Sequence, residues 1–253
     1  MIRSDSVIIS LAMALLFAAA IVASEGSNEA IFLWFNHGAA LLPDAFWANF
    51  TFVADTLFAV AVLAIVGSRY PHVFNSGLVL LILGALFVHG LKNTLEIPRP
   101  PAVLDADAFT VIGPVVKNHA FPSGHSFTAL ATAGLLALHC RALGWTIALM
   151  LIGLIAAISR AAVGAHWPLD ILVGSAAGLL FALIAQRLTD AIWWLQGETL
   201  ERVSAGLMTL TVIALIFHDS RYPDTRLLSA SMGIIATLAM ASYWWRIARL
   251  RAN

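Results

Sequence analysis

Three short polar clusters interrupt an otherwise apolar sequence, and together they have the composition of an anion site. Each combines a basic residue or a histidine with residues that start or end helices. They are Lys92-x6-Arg99-Pro100, Pro122-Ser123-Gly124-His125 and Ser159-Arg160-x5-His166-x3-Asp170. Three cations, two histidines and a carboxylate are what phosphoryl transfer requires. Fixed positive charge stabilises the equatorial oxygens of the transition state, one histidine attacks, and the other protonates the leaving oxygen.

The second cluster supplies backbone donors for a phosphate. Gly124 lets the backbone approach a ligand closely, the first-turn N–H groups of a helix point at an anion, and His125 stands one position further in. Ordinary helix capping explains Pro122 and Ser123, but it does not explain Gly124-His125. The segment therefore predicts a phosphate held at the start of a helix.

The third cluster pairs a histidine with a carboxylate. Pro168 suits the first position of a helix, so Asp170 falls in the first turn and His166 lies just before it. Their separation of four residues brings the carboxylate within reach of the imidazole, where it fixes the tautomer and stabilises a cation on the ring. The alternative is that Asp170 only caps its helix. For Lys92 and Arg99 the alternative is a pair of cations that reach from the membrane edge to water.

The composition predicts that the elements carrying these clusters lie in a membrane. Of the 253 residues, 60% are hydrophobic and 11% are charged, and the mean hydropathy is +0.89. Soluble domains carry about 25% charged residues. The formal net charge is zero, which gives no basic footprint for nucleic acid. The single cysteine, Cys140, excludes an internal disulfide, and no Cys/His spacing predicts a zinc site.

Hydropathy predicts an all-α, polytopic membrane helix bundle with eight spans, because a membrane helix needs about 20 mainly apolar residues. Six spans form a core over residues 1–187, and two more lie in a C-terminal extension over residues 188–253. The spans are 7–23, 52–67, 76–94, 123–138, 143–161, 168–187, 203–217 and 227–245. An apolar run after Arg3 also fits a signal peptide, but further spans follow, so we favour an uncleaved helix. Aromatic residues in 24–49, Trp193-Trp194 and Tyr243-Trp244-Trp245 are expected at the membrane interface.

The distribution of Lys and Arg favours a cytoplasmic N-terminus, because cytoplasmic loops are enriched in these residues. The inner set is then Arg3, Arg69, Arg141, Arg187, Arg202, Arg246, Arg249 and Arg251, and the outer set is Lys92, Arg99, Lys117, Arg160, Arg221 and Arg226. Three of the six outer residues belong to the clusters above, so we expect them to be kept for chemistry. All three clusters reach the same outer face in this topology.

At these positions the sequence resembles the type-2 phosphatidic-acid phosphatase superfamily of integral-membrane lipid phosphatases. The family motifs read Lys-x6-Arg-Pro, Pro-Ser-Gly-His and Ser-Arg-x5-His-x3-Asp, and all three are complete here, in order, within about residues 52–187. The resemblance implies that His166 is the nucleophile and forms a phosphohistidine, that Asp170 orients it, and that His125 is the general acid. It implies a second group that binds the phosphoryl oxygens: Lys92, Arg99, Ser123, Gly124 and Arg160. It also implies catalysis with no metal and no other cofactor.

The resemblance implies a lipid phosphate substrate and a bacterial inner membrane, and the topology above puts the site on the periplasmic side. Undecaprenyl diphosphate is the first expectation. Phosphatidylglycerophosphate, phosphatidic acid and lipid A stay open, because the motif residues hold the phosphate and not the lipid. A lipid phosphotransferase would use the same site. A non-enzymatic anion transporter fits less well, since the charges cluster at one face and no inverted repeat is evident.

Two further segments carry expectations about selectivity and assembly. The loop 101–120 connects the first motif to the second, so we expect it to select the lipid headgroup. The two C-terminal spans are expected only to pack on the core. The alternatives are that they shape the access of the lipid or form a homodimer.

Overall fold

The structure is a computed structural model that describes residues 4–140 and 142–252. Arg3 and Arg141, counted above for orientation, lie outside these residues, as does the side chain of Arg251. The described residues form helices and no strand, which confirms the all-α expectation. The helices are α1 (Ser4–Glu25), α2 (Asn28–Ala39), α3 (Asp44–Val53), α4 (Thr56–Gly67), α5 (His72–Leu95), α6 (Pro100–Val103), α7 (Gly124–Cys140), α8 (Leu143–Ala162), α9 (Pro168–Ala191), a 3₁₀ helix (Trp193–Gln196), α10 (Glu198–Phe217) and α11 (Arg226–Ala252).

The helices α1, α5, α8, α9, α10 and α11 are each long and apolar enough to cross a membrane. The pair α3 and α4 makes a seventh candidate if it is counted as one span with a bend of 60°. Helix α7, the predicted fourth span, has 17 residues, which is the short end of the usual range of roughly 17–25. The chain is therefore a multi-pass membrane protein.

The predicted span 52–67 is wrong at its start. Phe52 and Val53 belong to α3, the chain bends at Ala54, and α4 begins only at Thr56. The Oδ1 atom of Asp55 accepts a hydrogen bond of 2.7 Å from the backbone N–H of Leu57, so Asp55 caps α4. The continuous apolar run on both sides of Asp55 conceals this break in the sequence.

The aromatic segment 24–49 was expected at the interface, and the structure places part of it in the core. It forms α2 and the start of α3. Phe32 is fully buried, and its ring lies 5.2 Å from the Trp167 ring. Trp47 is also buried, and its indole N–H donates to the Ala39 carbonyl at 2.8 Å. These helices therefore support the loop that carries His166.

Helices α7 and α9, which carry the second and third motifs, approach each other unusually closely because α9 has a glycine at the crossing. A Cβ atom at Gly178 would lie 2.3 Å from the carbonyl oxygen of Phe127. No real side chain fits at that distance. The glycine thus fixes the spacing between α7, which carries His125 in its first turn, and α9, which begins two residues after His166.

We expect Gly178→Ala to lower the melting temperature of the detergent-solubilised protein markedly, because overpacking at a rigid contact costs about 1–3 kcal/mol. The matched control is Gly206→Ala in α10, where no atom lies within 4 Å of the added methyl group. There alanine is the better helix former and the melting temperature should be unchanged or raised. Equal melting temperatures for the two variants would contradict this account of the contact.

Hydrogen bonds between helix ends confirm the alternating direction of the spans. At one end, Arg187 in α9 binds Asp5 in α1 at 2.5 Å, and Arg246 in α11 binds the carbonyl of Ser68 after α4. At the other end, the indole of Trp167 donates to the Pro98 carbonyl at 2.9 Å. The three motifs therefore meet at one end of the bundle, as the topology predicts.

The C-terminal helices share the core of the bundle. Ala205 and Met208 of α10 and Met240 of α11 belong to the same buried cluster as Leu63 of α4 and Leu80 of α5. The division at residue 187 stays a prediction about sequence organisation, since both parts pack around one core.

Tyr243 was predicted as an interfacial anchor, and this is wrong. The side chain is 1% exposed, and its hydroxyl donates to Glu201 Oε1 at 2.8 Å. Trp193, Trp194 and Trp245 are exposed on the surface of the bundle, as expected of residues that face lipid.

Candidate active site

The turn between α8 and α9 brings Arg160 and His166 of the third motif close together. The carbonyl oxygen of Arg160 accepts the backbone N–H groups of both Ala165 and His166, at 2.9 and 3.1 Å. Gly164 makes this reversal with φ +74°, where a Cβ atom would lie 2.5 Å from the Thr110 carbonyl. The five-residue spacing thus closes a tight turn, with the Arg160 and His166 side chains facing one cavity.

His166 and Asp170 form the pair that their spacing predicts. His166 Nδ1 lies 3.2 Å from Asp170 Oδ2, and the same carboxylate oxygen accepts the backbone N–H of Trp167 at 3.0 Å. The His166 side chain is 1% exposed and lines the cavity. Because Nδ1 is held by the carboxylate, Nε2 is the nitrogen free to react.

Burial keeps the His166 imidazole neutral. Loss of solvation, and then the charges of Arg99 and Arg160, hold the pKa of His166 well below its usual range. A neutral imidazole has a lone pair on Nε2 and can act as a nucleophile.

The second motif starts α7 beside this pair. His125 and Gly124 both line the cavity, but the Ser123 side chain is fully buried and is absent from the lining. Ser123 Oγ instead lies 2.7 Å from Ser126 Oγ and accepts the Ser126 N–H at 3.2 Å. Ser123 therefore caps α7, and its role in binding phosphate stays a prediction. The Ser123 N–H donates to the Asp170 carbonyl at 3.0 Å, which joins the second and third motifs.

Lys92 and Arg99 line the cavity. Both also bind backbone carbonyls near the C-terminal end of the loop between α6 and α7. Lys92 Nζ donates to the His119 carbonyl at 2.7 Å. Arg99 donates from Nε to the Asn118 carbonyl at 2.9 Å and from Nη1 to the Ala165 carbonyl at 3.3 Å. A lysine has three donors and an arginine has five, so each retains N–H groups for an anion.

Arg160 has a buried N–H donor that is left unpaired within the part of the chain that the structure describes. The residue is 3% exposed, and its buried Nε has no hydrogen-bond partner among the described residues. Its Nη1 donates to Thr51 Oγ1 at 3.0 Å and to the Tyr222 hydroxyl at 2.7 Å. A buried unpaired donor on a cation is unfavourable unless an anion completes its bonding.

The motif residues share one cavity of about 650 Å³. Its polar end contains five side chains of the motifs: Lys92, Arg99, His125, Arg160 and His166. From there it continues between α4, α5 and α7 along apolar side chains that include Leu63, Leu80, Leu81, Val88, Phe127 and Ala131. Leu80 and Lys92 lie about 18 Å apart along α5, at the ~1.5 Å rise of an α-helix.

Several residues at the cavity were not predicted. Asp55 Oδ2 lies 3.9 Å from His125 Nε2, Thr51 binds Arg160, and Tyr222 comes from the C-terminal extension. Each is a single polar residue without a spacing pattern, so the sequence offers no signal for them. His89 and His218, which belong to none of the three motifs, also line the cavity.

The loop 101–120 contributes less than expected. Only Pro114 and Val116 of this loop line the cavity, whereas Phe109 and Ile112 are buried in the core. Its expected role in headgroup selection therefore rests on two apolar side chains.

The described residues contain no group of three or more His, Cys, Asp or Glu side chains that could hold a metal ion. The arrangement offers a neutral imidazole with a carboxylate partner, a second imidazole that lines the same cavity, and three cations. Such a set can bind a phosphoryl group, attack it and protonate what leaves.

Comparison with known proteins agrees with this geometry. The sequence profile of the PAP2 superfamily matches residues 74–194, which contain all three motifs. The match begins within α5, later than the expected start near residue 52. No curated protein matches the chain.

Two crystal structures have a similar fold. Aquifex aeolicus LpxE has a TM-score of 0.55 and 26% sequence identity, and the alignment covers 63% of this chain and 94% of that chain. The first transmembrane PAP2 type phosphatidylglycerolphosphate phosphatase from Bacillus subtilis has a TM-score of 0.55 and 21% identity, over 73% of this chain and 96% of that chain. With the profile match and the three motifs gathered at one cavity, these comparisons show that residues 74–194 match the PAP2 superfamily.

Proposed function

We propose that this membrane phosphatase removes a phosphate from the phosphate or diphosphate headgroup of a lipid, by way of a phosphohistidine at His166. The observation that carries the proposal is the continuity of the cavity. A cationic end with two histidines leads directly into an apolar groove. From Lys92 at the cationic end to Leu80 in the groove, the cavity spans about 18 Å along α5, at the helical rise of ~1.5 Å per residue. A lipid phosphate matches this division, because its headgroup is anionic and its hydrocarbon chain is apolar.

In the proposed first step, His166 Nε2 attacks phosphorus, a P–N bond forms, and the bond between phosphorus and the leaving oxygen breaks. Lys92, Arg99 and Arg160 stabilise the charge on the equatorial oxygens. His125 gives its proton to the leaving oxygen, while the Asp170 carboxylate stabilises the positive charge on His166.

In the second step, water attacks the phosphohistidine and His125 accepts a proton from it. The P–N bond breaks, inorganic phosphate leaves, and the His166 imidazole is neutral again. The Asp55 carboxylate lies close to the His125 ring, with Oδ2 3.9 Å from His125 Nε2.

Every step uses side chains of this chain alone, so we propose that catalysis needs no metal ion. The proposal puts the site on the periplasmic side of a bacterial inner membrane, because the loops at the opposite end carry more Lys and Arg. A lipid phosphate that reaches this leaflet is then the substrate.

The test is phosphate release by the detergent-purified protein, with EDTA present, from four lipids: undecaprenyl diphosphate, phosphatidylglycerophosphate, phosphatidic acid and lipid A. We expect undecaprenyl diphosphate to be the best of them. Phosphatidylglycerophosphate is the main competitor, because the Bacillus subtilis neighbour is a phosphatidylglycerolphosphate phosphatase. Turnover of no lipid, with or without an acceptor lipid for phosphotransfer, would contradict the proposal.

The acid limb of the pH profile gives a second test. The pKa of His166 is held well below its usual value, which is about 6.5 for histidine. The nucleophile therefore stays unprotonated as the pH falls through 6.5, and kcat/KM should decline only at clearly lower pH. An acid limb with a midpoint at or above about 6.5 would show that His166 is not held neutral as described.

A further inference from the structure

The loop between α10 and α11, residues 218–225, closes one side of the cavity. Five consecutive residues of this loop line it: His218, Asp219, Ser220, Arg221 and Tyr222. They lie outside residues 74–194, which match the superfamily profile. The C-terminal extension therefore reaches the site that the motifs build.

Hydrogen bonds within the loop and to the core hold it in place. Ser220 Oγ lies 2.6 Å from Thr225 Oγ1 and accepts the Tyr222 N–H at 3.1 Å. Asn49 of α3 donates to the Asp224 carbonyl at 3.3 Å. These hydrogen bonds hold the loop in one conformation against α3.

Tyr222 contacts a phosphate-binding residue directly. Its hydroxyl accepts a hydrogen bond of 2.7 Å from Arg160 Nη1, and its ring centroid lies 5.7 Å from Arg160 Cζ, within the range of a cation–π contact. With Thr51 on the same Nη1 atom, Tyr222 fixes the guanidinium plane and leaves Nε unpaired. Tyr222 is therefore a positioning residue for Arg160.

Arg221 adds a further cation at the cavity. Its side chain is exposed, and among the described residues it forms no ion pair. The neighbouring Asp219 also lines the cavity, but its Oδ1 accepts the backbone N–H of Arg221 at 2.9 Å. Arg221 is thus available to an anionic group beyond the one that the three motif cations bind.

We propose that the 218–225 loop selects the substrate: Tyr222 orients Arg160 on the scissile phosphate, and Arg221 binds a second anionic group on the same headgroup. The substrate class that fits is a lipid diphosphate, which has two adjacent phosphates. His166 attacks the terminal phosphorus, the P–O bond to the inner phosphate breaks, and a lipid monophosphate leaves. This inference rests on the proposed function and adds to it the residues that set the preference.

The test compares a polyprenyl diphosphate with the monophosphate of the same chain length in detergent micelles. In Arg221→Gln, kcat/KM for the diphosphate is expected to fall about tenfold, because a hydrogen bond to a charged group is lost. The monophosphate should change by less than about twofold, within the small effect of an exposed charge. Lys117→Gln is the matched control, since Lys117 is an outer-end cation outside the cavity lining.

Tyr222→Phe tests the positioning role, with inhibition by inorganic phosphate as the readout. Loss of the hydroxyl should raise the inhibition constant of phosphate about tenfold, with an unchanged melting temperature. Tyr243→Phe is the control, because it removes a tyrosine hydroxyl bonded to Glu201 at the opposite end of the same extension. Its phosphate inhibition should equal that of the wild type.

The outcomes separate this inference from the proposed function. If the wild-type protein hydrolyses neither lipid and matches His166→Ala, the proposed function fails, and the inference fails with it. If both lipids are hydrolysed but Arg221→Gln affects them equally, or Tyr222→Phe leaves phosphate inhibition unchanged, only the inference is overturned.

Discussion

Replacing His166 with alanine is expected to lower kcat for lipid phosphate hydrolysis by about 10⁴-fold or more, because the variant has no nucleophile for the phosphoryl group. The environment of this imidazole supports the expectation. The side chain is 1% exposed, Nδ1 is held by Asp170 at 3.2 Å, and the ring lines the cavity. Phosphate release from the best lipid of the panel measures the effect.

His72→Ala is the control for this prediction. His72 begins α5 at the far end of the bundle and does not line the cavity, so its loss should leave kcat unchanged. A residual activity of His166→Ala within about tenfold of the wild type would contradict the nucleophile assignment, since such a loss fits a binding residue better than a covalent one.

Replacing His125 with alanine is expected to have an effect that depends on the leaving group. For a lipid monophosphate, the leaving oxygen is a poor alkoxide, and loss of the general acid should lower kcat by about 10²–10⁴-fold. For an aryl phosphate such as p-nitrophenyl phosphate, the leaving oxygen needs no proton, so the loss should stay within about tenfold. Single-turnover rates on the two substrates measure this difference.

The wild-type ratio of the two rates is the reference for this experiment. A loss of equal size on both substrates would show that His125 binds the phosphoryl group and does not protonate the leaving oxygen. In that case the proton donor would have to be sought among the other groups at the cavity, and Asp55 is the nearest carboxylate to His125.

The position of the motif residues could be predicted from the sequence because it depends on local rules. The spacing of His166 and Asp170 is one helical turn, and Pro168 sets the start of α9. The alternation of apolar spans then puts Lys92 and His125 at the same end of the bundle. Neither step needs knowledge of how the helices pack.

The contacts that complete the site could not be predicted, because they depend on tertiary packing. Arg160 binds Thr51 and Tyr222 across sequence separations of 109 and 62 residues. The bend at Asp55 lies within an apolar run, and Ser123 turns its hydroxyl into its own helix cap. The contacts of Arg160 become visible only when α3, α8 and the 218–225 loop are seen packed together.

The C-terminal extension also makes contacts at the site that the sequence could not predict. Two apolar helices after a complete motif set were expected only to pack, and α10 and α11 do contribute to the shared core. The short loop between them nevertheless supplies Tyr222 to Arg160. Hydropathy describes where such helices lie, but it carries no information about which side chains their connection presents to a cavity.

Trapping the covalent intermediate tests whether His166 is the nucleophile. The detergent-purified protein is mixed with a lipid substrate labelled on its terminal phosphate, quenched within one turnover, and digested for mass spectrometry under alkaline conditions. We expect an acid-labile, alkali-stable phosphohistidine on the peptide that contains His166, and no such label in His166→Ala. Phosphate on another residue, or full turnover without any labelled protein, would contradict it.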